Sequence, residues 1–174
     1  MKKYVTDFLL YFSIFFFSLT TVYAAPPPWE VEELMNSPAP DFTLEKLDNT
    51  TLTLSSLKGK VILVNFWATW CGPCLAEMPS LSQMYSELKQ KDLVVVAISI
   101  DEKKSTVDHF LKKFPLEFPV VNDPNLTTAE AYKVFAYPTS FLIDRDGIVQ
   151  KKYIGEQNWL AKELIDEINS YIMK

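Results

Sequence analysis

Residues Val61–Cys74 read VILVNFWATWCGPC. Val61–Trp67 lacks the polar alternation of a half-exposed strand and is interrupted only by Asn65, which predicts a strand buried on both faces. Two cysteines follow, three apart. Beyond them Leu75, Met78, Leu81, Met84, Tyr85 and Leu88 recur at helical spacing. The segment Cys71-Gly72-Pro73-Cys74 therefore lies where a strand gives way to a helix. Pro73 suits a helix start, Gly72 allows a tight approach, and Pro79 is expected to kink the helix.

That position carries chemistry. The first turn of a helix has unpaired backbone N–H groups and the positive end of the dipole, so a thiolate at Cys71 is favoured. The dipole contributes about 0.3–2 kcal/mol, against about 1.4 kcal/mol per pKa unit, so it lowers the thiol by about one unit. Cys71 is predicted to be the exposed attacking sulfur and Cys74, one turn in, the buried resolving thiol. A structural bridge is the competing reading, but one closing so short a loop restrains the unfolded chain little. Zinc needs four ligands, and the chain has no third cysteine and one histidine, His109. Haem attachment needs a histidine after the second cysteine, where Leu75 stands.

Outward from this centre, strands alternate with helical patterns. Leu93–Ile100 is a second buried strand, Val107–Phe114 a helix ended by Pro115, and Phe118–Val121 a short strand. Residues 127–133 form a short helix capped by Thr127. Thr139–Ile143 and Ile148–Tyr153 make a hairpin around Asp144–Gly147, and the last helix starts with Asn158 as its cap. Asp41–Leu44 and Thr51–Leu54 pair at the N-terminal side. The pattern predicts an α/β fold: a central mixed sheet flanked by helices on both faces, with an N-terminal β-hairpin and a central insert.

The chain's 174 residues are 48% apolar and 22% charged, which suits one globular domain with a real core. A net charge of −5 argues against nucleic-acid binding, which needs a basic face. Lys2 and Lys3 precede an uncharged apolar run from Phe8 to Val22, and Ala24 and Ala25 follow. Residues 1–24 read as a signal peptide, with an uncleaved anchor as the alternative. Residues 25–37, dense in proline, read as a linker, and 38–174 as the folded domain. The expected location is the periplasm or another extracytoplasmic compartment, where a cysteine pair is a bridge or a redox centre.

The VILVNFWATWCGPC stretch, Pro138 in Tyr137-Pro138-Thr139 and the FLIDRDG hairpin resemble the thioredoxin superfamily. The APDFTL segment, the AEMP run at Ala76–Pro79 and the insert before Tyr137 resemble its exported TlpA/ResA-like branch, whose redoxin domain is of AhpC/TSA type. The resemblance implies a thioredoxin-like fold and a thiol–disulfide oxidoreductase with Cys71 as nucleophile and Cys74 as resolving thiol. It matches Pro138 to the family's cis-proline and implies that the backbone of Tyr137 pairs with substrate, with Trp70, Gly72 and Pro73 bordering the site. Trp67 also matches a family aromatic. Thioredoxins proper carry a buried Asp where this chain has Asn65, and an amide cannot relay a proton. Glu77, three residues past Cys74, matches a glutamate of the ResA-like branch and shares a helix face with Cys74.

The implied activity is reduction of protein disulfides, with apocytochrome c cysteines among the substrates. The implied electron source is a membrane donor of the DsbD/CcdA type. No metal or cofactor beyond the Cys71–Cys74 disulfide is expected, no nucleic-acid partner, and a monomer. A peroxiredoxin is the first alternative, but Thr69 stands two residues before Cys71 rather than three, and the only arginine, Arg145, is in the hairpin turn. A copper chaperone is the second, without the Met or His cluster that would accompany the thiols.

Overall fold

A computed structural model describes residues 34–174; the expected signal segment (1–24) and the proline-rich stretch as far as residue 33 lie outside the described residues. The strands are β1 (Thr43–Lys46), β2 (Thr51–Thr53), β3 (Val61–Trp67), β4 (Leu93–Ser99), β5 (Val120–Asn122), β6 (Thr139–Ile143) and β7 (Val149–Ile154). They form one sheet in the order β2-β1-β5-β4-β3-β6-β7. Four α-helices accompany them among the described residues: α1 (Gly72–Leu88), α2 (Lys104–Lys113), α3 (Thr127–Ala131) and α4 (Lys162–Ile172).

All seven residues of β3 are buried, because the strand has a parallel neighbour, β4, on one side and an antiparallel one, β6, on the other, with side chains packed on both faces. Alternate residues serve the two faces. Asn65 meets Glu77 of α1 and Trp67 stacks on Phe110 of α2, so α1 and α2 share a face. Phe66 points the other way, against Tyr132 and Phe141, and Phe42 joins that aromatic cluster edge-on to Tyr132. The expected mixed α/β architecture is the one observed. The central insert supplies α2, β5 and α3, and β5 ties the N-terminal hairpin to the sheet through Glu45↔Asn122 and Lys46↔Val121.

Two expected helix caps are corrected. Thr127 does not cap α3: the Asp123 carboxylate does, accepting from Thr128 N (3.0 Å) and Ala129 N (2.9 Å). Asn158 does not cap α4, which begins four residues later. Its Oδ1 instead accepts from Leu160 N (3.2 Å), closing a turn ahead of the helix. Helix α1 runs through Pro79 to Leu88 as a single element. The turn at residues 34–37, ahead of the boundary drawn at residue 38, is fastened to the closing hairpin: Asn36 N donates to Val149 O (2.8 Å) and Val149 N to Ser37 O (2.9 Å). No helix among the described residues is long and apolar enough to cross a membrane.

Candidate active site

Strand β3 ends at Trp67, and four residues later Cys71 stands at the N-cap of α1 with extended backbone. Cys71 and Cys74 are joined in a disulfide. Cys74 N donates to Cys71 Sγ at 3.3 Å, so the sulfur occupies the place of a helix-capping oxygen. No acidic residue lies in the first turn of α1 to oppose negative charge on that sulfur. Both cysteines are more enclosed than the reading of Cys71 as exposed required: Cys71 keeps 6% of its surface and Cys74 none. The order is nonetheless as expected, since Cys71 is the member that solvent reaches.

The loop carrying Cys71 is pinned from below. Thr69 N donates to Asp101 Oδ2 (3.0 Å) and Thr69 Oγ1 to Asp101 Oδ1 (2.6 Å), while Ser99 Oγ also donates to Oδ2 (2.7 Å). Asp101 stands just past the C-terminal end of β4, the end of a parallel strand where open α/β sheets place their sites. The sequence reading passed over it, although a carboxylate closing the apolar run LVVVAISI was a visible signal.

Around the disulfide, Trp70 is 67% exposed and meets the half-buried Tyr137 edge-on at 6.3 Å between ring centres. The Tyr137–Pro138 peptide bond is cis. Trp70 and Tyr137 border a groove of about 790 Å³ that also includes Ile100, Pro124 and Leu126. Gly72 and Pro73 are exposed at the helix start. The tight approach expected of Gly72 is not found among the described residues: its φ is outside the positive region and a Cβ there would meet nothing of theirs within 4 Å. Trp67, by contrast, is fully buried in the core and reaches no surface.

One turn beyond Cys74, Glu77 is a carboxylate 99% removed from solvent, with a relative exposure of 1%. Its Oε1 accepts from Asn65 Nδ2 (2.7 Å) and its Oε2 from Gln157 N (2.9 Å). Burial pushes its pKa up to about 7; the bonds from Gln157 N and Asn65 Nδ2 pull it down, as does the neighbouring Trp159 indole, whose Nε1 makes no hydrogen bond among the described residues, and Glu156 adds to the rise. Asn65 Nδ2 also donates to Ser140 Oγ (2.9 Å), its direct partner across the β3–β6 pairing. The loop after β7 is held on α1 by Ser80, whose Oγ accepts from Trp159 N (3.2 Å). Ser140, Gln157 and Ser80 escaped the sequence reading. Asn65 entered it as a lost relay and returns as the partner of Glu77.

Other candidates lie elsewhere. His109 is exposed on α2. Arg145 donates to Gly59 O and Ile172 O (both 2.7 Å) and neighbours Asp92, so it serves the hairpin and not the disulfide. Among the described residues no group of three or more His, Cys, Asp or Glu side chains could hold a metal ion.

A thioredoxin-type sheet with a disulfide-bonded cysteine pair at a helix start and a cis-proline directly ahead of β6 defines a thiol–disulfide oxidoreductase. Residues 35–152 match the AhpC/TSA family model. The thiol-disulfide oxidoreductase ResA of Bacillus cereus is 43% identical over 136 residues, covering 78% of this chain and 75% of that protein. ResA of Bacillus subtilis is 40% identical over 119 residues, 68% and 66% of the two chains. A Chlorobium tepidum crystal structure, of a candidate thiol:disulfide interchange protein DsbE, superposes with a TM-score of 0.75 at 37% identity, covering 79% of this chain and 97% of that one. The chain belongs to the AhpC/TSA family and, within the thioredoxin superfamily, to its TlpA/ResA-like branch.

Proposed function

We propose that this chain is an extracytoplasmic reductant of protein disulfides, with the Cys71–Cys74 pair as its only redox centre. The observation that carries the reading is the placement of Cys71 Sγ at the cap of α1, accepting from Cys74 N, in the one cysteine that keeps any solvent exposure. In the dithiol form the Cys71 thiolate attacks one sulfur of the substrate disulfide. A Cys71–substrate disulfide forms and the second substrate sulfur leaves as thiolate. Cys74 then loses its proton to Glu77 and attacks Cys71 Sγ. The Cys71–Cys74 disulfide forms, the first substrate sulfur leaves as thiolate, and the substrate has gained two electrons and, with protonation, two hydrogens.

A buried acid with a pKa of about 7 suits the proton step, since it changes state with little driving force near neutral pH. In this reading Trp70, Gly72 and Pro73, exposed next to Cys71 in the chain, form the substrate-binding rim together with the half-buried Tyr137 and the buried Pro138, and the Tyr137 backbone pairs an extended segment. The signal-like N-terminus, cleaved or retained as an anchor, supports the location. The branch supports envelope proteins such as apocytochrome c as substrates. Such a compartment requires a membrane dithiol donor of the DsbD/CcdA type to regenerate the thiols. The chain acts as a monomer in this scheme.

The test is Cys74→Ser. It should accumulate mixed disulfides through Cys71, resolved by gel under non-reducing conditions, while wild type reduces insulin. Absence of both overturns the reading. Rapid peroxide consumption by the wild type would replace it with a peroxidase.

A further inference from the structure

In the middle of β3, Asn65 is wholly buried and its amide is used on one side only. Nδ2 donates to Glu77 Oε1 (2.7 Å) and to Ser140 Oγ (2.9 Å), while Oδ1 is buried with no hydrogen-bond partner among the described residues. Such an atom ordinarily costs free energy, so its persistence calls for a physical reason. The arrangement suits an ionised Glu77, which accepts from Asn65 on one oxygen and from Gln157 on the other. It does not suit a protonated one. Gln157 N belongs to the backbone and donates to Oε2 in either state, so the proton belongs on Oε1. There it would confront the Asn65 NH₂, donor against donor.

We propose that Asn65 is a positioning residue that serves both protonation states of Glu77 by turning its amide over, so that the acid takes up and releases its proton without leaving its place. This rests on the reading of Glu77 as the acid–base partner of the cysteines. With the amide reversed, Oδ1 accepts from the Glu77 carboxylic acid. Ser140, whose hydroxyl both donates and accepts, changes from acceptor of the Nδ2 bond to donor toward Oδ1. The pocket now facing the orphan Oδ1 would face Nδ2 instead, so each orientation leaves one amide group unpaired and neither is strongly preferred on that account. Leucine at this position would offer Glu77 nothing in either state. Aspartate would set two carboxyls against each other, and one of them would hold its proton far above the ordinary range.

Few other groups bear on Glu77. From α1 there is Cys74, one turn back. From β3 and β6 come the neutral Asn65 and Ser140. From the loop after β7 come Gln157, Trp159 and the single charge, Glu156. A substitution at residue 65 leaves the other groups in place, which makes the change at Glu77 readable.

The experiment follows Glu77 and Asn65 together by NMR in the oxidised wild-type protein, with carbon-13 in the glutamate carboxyl groups and nitrogen-15 in the asparagine amides. The Asn65 Nδ2 signal should shift with the same midpoint as the Glu77 carboxyl carbon. An Asn65 signal that stays flat while Glu77 titrates overturns the proposal. Asn65→Leu removes the donor to the carboxylate, and charge-assisted bonds are the stronger ones, so the Glu77 midpoint should move alkaline by about one pH unit or more. An unmoved midpoint in a folded Asn65→Leu protein also overturns it. Should that variant not fold, the paired titration in the wild type decides alone. Failure of the underlying reading looks different. In that case Glu77→Gln would keep the wild-type pH dependence of disulfide reduction, whatever Asn65 does.

Discussion

Glu77→Gln should make the protein more stable in alkali relative to wild type, and by an amount the structure sets. The carboxyl rises from an ordinary value of 4.5 to about 7, with burial as the leading cause. A group whose pKa is higher in the folded state binds its proton preferentially there, so its contribution is fully present below pH 4.5 and lost as pH climbs through 7. Between pH 5 and pH 8 the loss integrates to about 2.5 kcal/mol. Glutamine at 77 has no proton to lose and keeps an oxygen for Gln157 N, so its stability should lack this component. Other titrations cancel in the difference between the two proteins. Equilibrium urea unfolding of both oxidised proteins at pH 5, 6, 7 and 8 reads it directly. With m of about 1–3 kcal/mol per molar, the gap between midpoints should widen by roughly 1–2.5 M from pH 5 to pH 8. A gap that stays constant across that range would show that Glu77 ionises as freely as in the unfolded chain, and the proton-transfer role would fall with it.

Trp70→Ala should leave stability within about 0.5 kcal/mol, since the ring is mostly in water, yet raise KM for a protein disulfide while sparing a small one such as cystamine. Equal loss with both substrates would remove Trp70 from the binding rim. Asp101→Asn puts an NH₂ among the Thr69 N, Thr69 Oγ1 and Ser99 Oγ donors; it should cost about 1–3 kcal/mol by chemical denaturation and slow alkylation of Cys71 in the reduced protein. Unchanged alkylation would mean that the loop holds its shape without this clamp. Gly72→Ala should melt with the wild type, because the added methyl meets nothing among the described residues, while insulin reduction slows. Full insulin activity would show that substrate does not pass over this position.

The strand and the cysteine pair were legible because both are local. Seven enclosed residues followed by a helix-starting Cys-x-x-Cys need no knowledge of the rest of the chain, and the Asp-Gly hairpin turn is similarly self-contained. Helix ends were less so. Thr127 and Asn158 are ordinary capping residues, but Asp123 lies where its carboxylate can take two N–H groups of α3, and Asn158 spends its side chain on a tighter turn. Sequence spacing says which residues are able to cap; the path of the chain says which one does.

The polar cluster was least visible because no single segment contains it. Asn65 and Ser140 are isolated polar residues in otherwise apolar strands, 75 positions apart, and only the β3–β6 register makes them direct partners. Each alone reads as a tolerated defect. Brought together beneath Cys74 they give Glu77 a place to sit, and they change the meaning of the missing aspartate at 65. Under the proposed mechanism the buried acid of the active site stands in the second turn of the cysteine helix instead of the strand, and the strand keeps an amide that donates to it. A second carboxyl at 65 would then be harmful, because two acids sharing one dry site cannot both ionise near neutral pH. Asn65→Asp should therefore impair the wild type, yet harm a Glu77→Gln background much less. That sign of epistasis, measured in insulin reduction, separates a relocated acid from a strand position that merely tolerates an amide.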